Sequence, residues 1–382
     1  MAFQPVYMDY NATTPCDPAV VAAMLPYFSQ HFGNAASHNH SYGWEAGEAV
    51  KIAREQLADL IGAEPNEIIF TSGATEAINL ALKGVFEKYA RKGAHIITAP
   101  TEHMAVLDTC SWLEKRGAEI TVLPVDHHGM IDLQVLEASI RTDTILICLM
   151  LANNETGVIF PVRQISEIAR KHRIVFFTDA TQAVGKIAVD VQEDGIDIMC
   201  CSSHKIYGPK GVGALYVRRK DPRVTLAAQM QGGGHEKGLR SGTLNVPGIV
   251  GMGKAAEICL GSQNEEGKRL SGLRDMLERE MLAIPGAVIN GAGQPRLPQV
   301  ANICFDGHSG VLGITGKIAL SSGSACTSAL PAPSHVLKAM GLSDEAAASS
   351  LRFSLGRFTT EEEVRFAVEE MNRFLSKIEI PR

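Results

Sequence analysis

No C-x-x-C pair occurs in the chain, and its eight cysteines are scattered over positions 16, 110, 148, 200, 201, 259, 304 and 326. A chain of 382 residues needs no covalent staples, so neither a disulfide framework nor a structural zinc is expected. Long lysine or arginine runs are also missing and the net charge is −6, which argues against a dedicated nucleic-acid surface. No apolar stretch approaches the length that crosses a bilayer. The first residues, MAFQPVYMDYNATTP, lack a basic flank followed by an apolar core, the pattern of a secretory signal. Internal repeats and low-complexity tracts are absent as well. With 45% hydrophobic residues the expectation is a soluble, cytoplasmic protein with a sizeable core.

From about residue 45 helical and strand-like segments alternate. EAGEAVKIAREQLADLIG has helical periodicity and ends at Gly62; EIIF, HIITAP, TILICLMLAN, IVFFTDA, IDIMCCSS and GVGALYVRR read as strands, with TEAINLALKGVFEKYA and the segment around VRQISEIARKH as helices between them. That order predicts an α/β domain with a largely parallel sheet. After about residue 262 the texture changes to a charged helix, SQNEEGKRLSGLRDMLEREML, short strands in AVING and QVANICF, the loop SSGSACTSA, and two further helices. This predicts a second, smaller domain.

Three strand-end constellations carry chemistry. TSGATE, residues 71–76, combines a glycine with a helix start, whose free N–H groups suit a phosphate; a plain N-cap by Thr71, Ser72 or Thr75 is the equally good bland reading. IVFFTDATQAVGK delivers Asp179 at the end of an apolar run, with Gln182 three residues on; a carboxylate there must be solvated, paired or functional. IDIMCCSSHK places Lys205 after another such run, where desolvation would make its amine a nucleophile able to form a Schiff base. Phosphate cradle, ring-nitrogen acid and Schiff-base lysine together are what pyridoxal phosphate requires. His103, beyond HIITAP, is placed to lie on such a ring. The alternating His38 and His40 of SHNHSYG read as a solvated loop rather than a metal site. Most cysteines, such as Cys148 and Cys259, read as small buried hydrophobes, whereas Cys326 sits among small polar residues, where a reactive thiol belongs.

MDYNATTP, TSGATEAINLAL, TEH, LANNETG, TDATQAVGK, SSHKIYGPKGVGALYVRR, GGGHEKGLRSGT, SSGSACTS and LRFSLGRFTTEEE follow one another through nearly the whole chain. In this the sequence resembles the NifS/IscS-like cysteine desulfurases of the class-V aminotransferase superfamily. The resemblance implies the fold type I architecture of pyridoxal-phosphate-dependent transferases: a mainly parallel seven-stranded sheet in a large domain, residues 16–262, and a smaller α+β domain from 1–15 and 263–382. It implies that Lys205 holds the cofactor and acts as a base, Asp179 pairs with the ring nitrogen, His103 stacks on the ring and Gln182 binds its phenolic oxygen. Ala74, Thr75, Ser202 and His204 would hold the phosphate, and Thr243 would reach the phosphate of a neighbouring subunit in a homodimer. Asn154 and Arg352 would take the carboxylate of the L-cysteine substrate, with Arg357 the next candidate. Cys326 would accept the sulfur as a persulfide and pass it to an iron–sulfur scaffold or other acceptor protein, with no resident metal beyond a cluster transiently shared there. Ala35 and Met104 depart from the family's usual proline and lysine. A selenocysteine lyase and a non-catalytic assembly platform are the alternatives.

Overall fold

The apolar runs of EIIF, HIITAP and IVFFTDA are short, rich in β-branched and aromatic residues, and flanked by helical segments. Runs of this kind form strands covered on both faces. In the computed structural model, which describes residues 4–308, 310–322 and 333–376, they become the centre of a seven-stranded sheet. The strands of the described chain are β1 (Val6–Tyr7), β2 (Ile68–Thr71), β3 (His95–Thr98), β4 (Glu119–Val122), β5 (Thr144–Cys148) and β6 (Val175–Asp179). They continue with β7 (Ile198–Ser202), β8 (Gly213–Val217), β9 (Ala287–Ile289), β10 (Val300–Phe305), β11 (Ile318–Ala319) and β12 (Ser350–Ser354).

The large sheet has the order β2-β8-β7-β6-β5-β3-β4. Only β8 runs against its neighbours; the other contacts, from β7 to β4, are parallel. The α/β class expected from the sequence is thus the observed one. The chain steps outward from β3 to β4, then returns to the other side for β5, β6 and β7. That reversal opens a crevice at the strands' carboxyl ends, where open α/β sheets bind ligands. One apolar core fills each face of the sheet.

A third core joins Met8, the small antiparallel sheet β12-β10-β9 and the helix Glu361–Leu375. The first described residues belong to this side: β1 pairs with β11, and Tyr10 N donates to Ser354 O at 3.2 Å. The charged helix expected from residue 262 begins much earlier, as one 36-residue helix Val246–Met281. By propensity the glycines of GIVGMGKAAEICLG disfavour a helix interior. Packing reverses that preference: a Cβ on Gly253 would lie 2.5 Å from Ala53 Cα, so glycine lets this helix approach the helix Ser41–Ile61. The same helix contributes Met252 and Cys259 to one core and Leu270 and Leu277 to the other. Among the described residues after the loop there are three helices where two were expected: His335–Ala339, Asp344–Ala348 and Glu361–Leu375. Among the described residues no helix is long and apolar enough to cross a membrane.

Candidate active site

The crevice holds a cavity of about 480 Å3, within the range that encloses a small-molecule ligand. Ala74, Thr75, His103, Asn154, Asp179, Gln182, Ser202, His204, Lys205 and Arg352 all line it. Of the residues singled out in the sequence, Thr243 is exposed and does not line this cavity. Cys326 lies outside the described residues.

At one end of the cavity, β2 leads into the helix Ala74–Lys88 through Ser72 and Gly73. Gly73 is the N-cap, with φ 157°, and no side chain caps the helix. Thr71 Oγ1 instead donates to Gly73 O at 3.0 Å, and Ser72 N donates to Glu76 Oε2 at 2.8 Å. No side chain thus provides the N-cap offered as the bland reading of TSGATE, and the residues of the first turn, Ala74, Thr75 and Glu76, line the cavity at the dipole's positive end. A Cβ on Gly73 would find Ser202 Oγ at 3.9 Å as its nearest neighbour; glycine keeps that space open. Beside it His204 Nδ1 lies 3.1 Å from Thr13 Oγ1. Burial, then the nearby Lys205 and Lys210, hold its pKa down to about 4. An uncapped helix start, a serine, a threonine, a neutral imidazole and a surplus of positive charge form a donor set suited to a phosphate dianion.

In the middle, β6 and β7 end side by side. Asp179 is 7% exposed and its Oδ1 accepts from Thr181 N at 2.9 Å and from Cys200 Sγ at 3.3 Å. Lys205 follows β7 in a short 3-10 turn, and its Nζ donates to Asn11 O at 2.5 Å and Ala12 O at 2.7 Å. His103 caps the helix Met104–Glu114, its Nδ1 accepting from Ala105 N at 3.1 Å. That bond places the ring proton of neutral His103 on Nε2. The preceding Glu102 is fully buried, and desolvation raises its pKa well above the usual carboxylate range.

At the far end Arg352 on β12 is 1% exposed. Its guanidinium donates to Asp9 Oδ1 at 2.6 Å and to Asn154 O at 3.1 Å, while Nε has no hydrogen-bond partner among the described residues. A buried cation with an unused donor suits an incoming carboxylate. Arg357 is committed elsewhere, to Asp17 at 2.8 Å and Glu266 at 2.9 Å.

Two contributors escaped the sequence reading. Asn11 is buried and lines the cavity; its carbonyl accepts from Lys205 and from Gln182 Nε2 at 3.0 Å, and its Nδ2 donates to Asn154 O at 3.0 Å. Lys186 Nζ donates to Gln182 Oε1 at 2.8 Å, which fixes the amide's orientation. Burial, then Lys205 and Arg352, pull Lys186 down to about 7. MDYNATTP and TDATQAVGK contain both residues, yet a polar side chain in a motif carries no sign of which partner it will meet. His40, expected in a solvated loop, caps the helix Ser41–Ile61 by accepting from Gly43 N at 3.2 Å.

A family model described as aminotransferase class-V matches residues 6–366. The chain is 52% identical over 379 residues to a protein named cysteine desulfurase IscS from Pectobacterium carotovorum, covering 98% of this chain and 93% of that protein. A protein of the same name from Anaeromyxobacter dehalogenans is 51% identical over 378 residues, with the same coverage of 98% and 93%. A solved structure described as a NifS-like protein superimposes with a TM-score of 0.91 at 37% identity, covering 98% of this chain and all of that one.

Proposed function

The chain belongs to the class-V aminotransferase family, and from that premise we propose how its cavity carries the activity of a pyridoxal-phosphate-dependent cysteine desulfurase. The enzyme converts L-cysteine to L-alanine and transfers the sulfur. One observation carries the assignment of roles: a single cavity gathers an uncapped helix start, a strand-end carboxylate, a lysine and a buried arginine. The donor set and the open space at Gly73 fit the cofactor's phosphate. When bound, pyridoxal phosphate supplies an aldehyde that captures amines and a ring that withdraws electrons from the captured carbon.

The chain's own residues do the rest. Ala74, Thr75, Ser202 and His204 would hold the phosphate, and Thr243 would reach that of the neighbouring subunit. Asp179 would pair with the ring nitrogen, Gln182 with the phenolic oxygen, and His103 would stack on the ring. Lys205 would hold the cofactor through Nζ and would serve as the base that takes the proton from the substrate's Cα. Its ammonium rests on two backbone carbonyls meanwhile, which keeps it beside the reacting centre. Arg352 and Asn154 fix the substrate carboxylate, and that anchoring sets which Cα bond faces the base. The Cys326 thiol receives the sulfur: L-cysteine and the thiol become L-alanine and a Cys326 persulfide. The persulfide then passes its outer sulfur to an iron–sulfur scaffold or another acceptor protein in the cytoplasm.

Residues 16–262 form the large domain of this reading, and 1–15 with 263–382 the small one. Leu25, Phe28, Phe32, Tyr42 and Trp44 are each more than half exposed, with the Phe32 and Tyr42 rings 5.4 Å apart. Apolar surface of that extent supports a homodimer.

The test is Cys326→Ser. This variant should bind cofactor and L-cysteine with normal spectra yet release almost no sulfur, because a hydroxyl cannot carry a persulfide. Alkylation after brief exposure of the wild type to L-cysteine, followed by peptide mass spectrometry, should place the extra sulfur on the Cys326 peptide. Its appearance on Cys304 or Cys110, or normal sulfide release by the variant, refutes the mechanism.

A further inference from the structure

Asp179 and Cys200 are register partners in the parallel pair β6–β7. Cys200 is fully buried in the core that includes Phe177 and Ile198, so its thiol finds a polar partner only at the strand ends. That partner is Asp179 Oδ1, 3.3 Å from Sγ, the same oxygen that accepts from Thr181 N at 2.9 Å. The Thr181 hydroxyl lies 3.9 Å from Sγ on the other side. Both donors reach Oδ1 and neither reaches Oδ2.

A carboxylate that must meet one ring nitrogen has two equivalent oxygens and a soft terminal torsion. Two donors on one oxygen remove that degeneracy: they hold the carboxylate's plane and dedicate the other oxygen to the cavity. We propose that Cys200 is a positioning residue for the cofactor: its thiol, with Thr181 N, holds Asp179 by Oδ1 so that Oδ2 is presented to the ring nitrogen. This rests on the reading of Asp179 as the ring's partner. Burial and the adjacent Asp179 keep the Cys200 thiol protonated, its pKa well above the ordinary value, so the donor persists throughout the working range.

Packing alone would explain a buried cysteine equally well, and the two roles separate by substitution. Cys200→Ser keeps a donor and loses apolar volume; Cys200→Val keeps apolar volume and loses the donor; Cys200→Ala loses the donor without adding bulk. Each holoenzyme is titrated with pH while the bound cofactor's visible absorbance is followed, and cofactor release is timed on dilution. Without the donor, Oδ2 is no longer held on the ring nitrogen, the proton there is less well paired, and a less positive ring would leave the nitrogen that Lys205 gives it more basic. The absorbance midpoint should therefore rise by about half to one unit in Val and Ala, with release about tenfold faster, as expected for a weak donor to a charged group. Ser should match the wild type in both. Val matching the wild type while Ser departs from it overturns the proposal in favour of packing. Asp179→Asn is the control: if it changes the titration and Val and Ala do not, Cys200 has no such role and the reading of Asp179 stands. If Asp179→Asn changes nothing, that reading falls and the proposal falls with it.

Discussion

The two ends of the cavity are built in opposite ways. At the phosphate end, Ser72, Gly73, Ala74 and Thr75 are consecutive, and a strand–turn–helix unit presents them as a local consequence of its geometry. Ser72 N is bonded to Glu76 Oε2 within the turn, while no side chain caps the helix that starts at Ala74. At the carboxylate end, Arg352 meets Asp9 and Asn154, residues 343 and 198 positions away, and its charge is already paired. One end offers an anion the uncapped first turn of a helix, whereas the other must exchange or share a partner to receive one. The first arrangement favours retention of a resident group. The second suits a substrate that must also leave, because the guanidinium is never left as a bare buried charge, whose cost would be several kcal/mol.

Lys205 sits where the ends meet, tied to the N-terminal segment through Asn11 O and Ala12 O, and its loss should have the largest effect. Lys205→Ala should abolish alanine release altogether while thermal melting shows an intact fold. Cofactor still held through the phosphate end would match the comparison, and retained turnover would sink the assignment of Lys205.

Arg352 tests the carboxylate end. Arg352→Ala should lower kcat/KM for L-cysteine by about a hundredfold, the scale of a misplaced reacting atom, without loss of bound cofactor. Arg352→Lys should recover only part of this, since an ammonium offers no planar fork. Steady-state kinetics with cofactor content measured in parallel check both. Equal loss of cofactor and of activity would mean that the two ends are not separable.

The smallest effect concerns His204 at the phosphate end. Its pKa falls from 6.5 to about 4 in the fold, chiefly through burial. Between those values the unfolded chain binds a proton that the folded chain refuses, so the apoenzyme loses stability as pH drops through that window. His204→Asn should flatten the fall of the melting temperature between pH 6.5 and 4 and leave it unchanged above pH 7. An identical acid slope in the variant would place the neutral imidazole's cause elsewhere.

The same contrast sorts what could be read from the chain. Period and strand-end placement gave the α/β class and the positions of the TSGATE helix start, Asp179 and Lys205, because each depends on a few neighbouring residues. The helix start near residue 262 was misplaced because glycine's low helix propensity is a local quantity, while its value at Gly253 comes from a neighbour 200 positions earlier, Ala53. Arg352 and Asn154 were reached through the family resemblance and not through periodicity.

What the amino-acid order determined by itself is therefore the set of local units: which runs become strands, where helices start uncapped, which charges stand at strand ends. Only the tertiary structure decided that Asn11 joins Lys205, Gln182 and Asn154, that Asp9 is the counter-ion of Arg352, and that Cys200 faces Asp179. Backbone preferences act over one turn or one strand, so the sequence displays them directly. Partner choice between distant polar groups depends on sheet order and register, which emerge only when the whole chain buries its apolar faces at once.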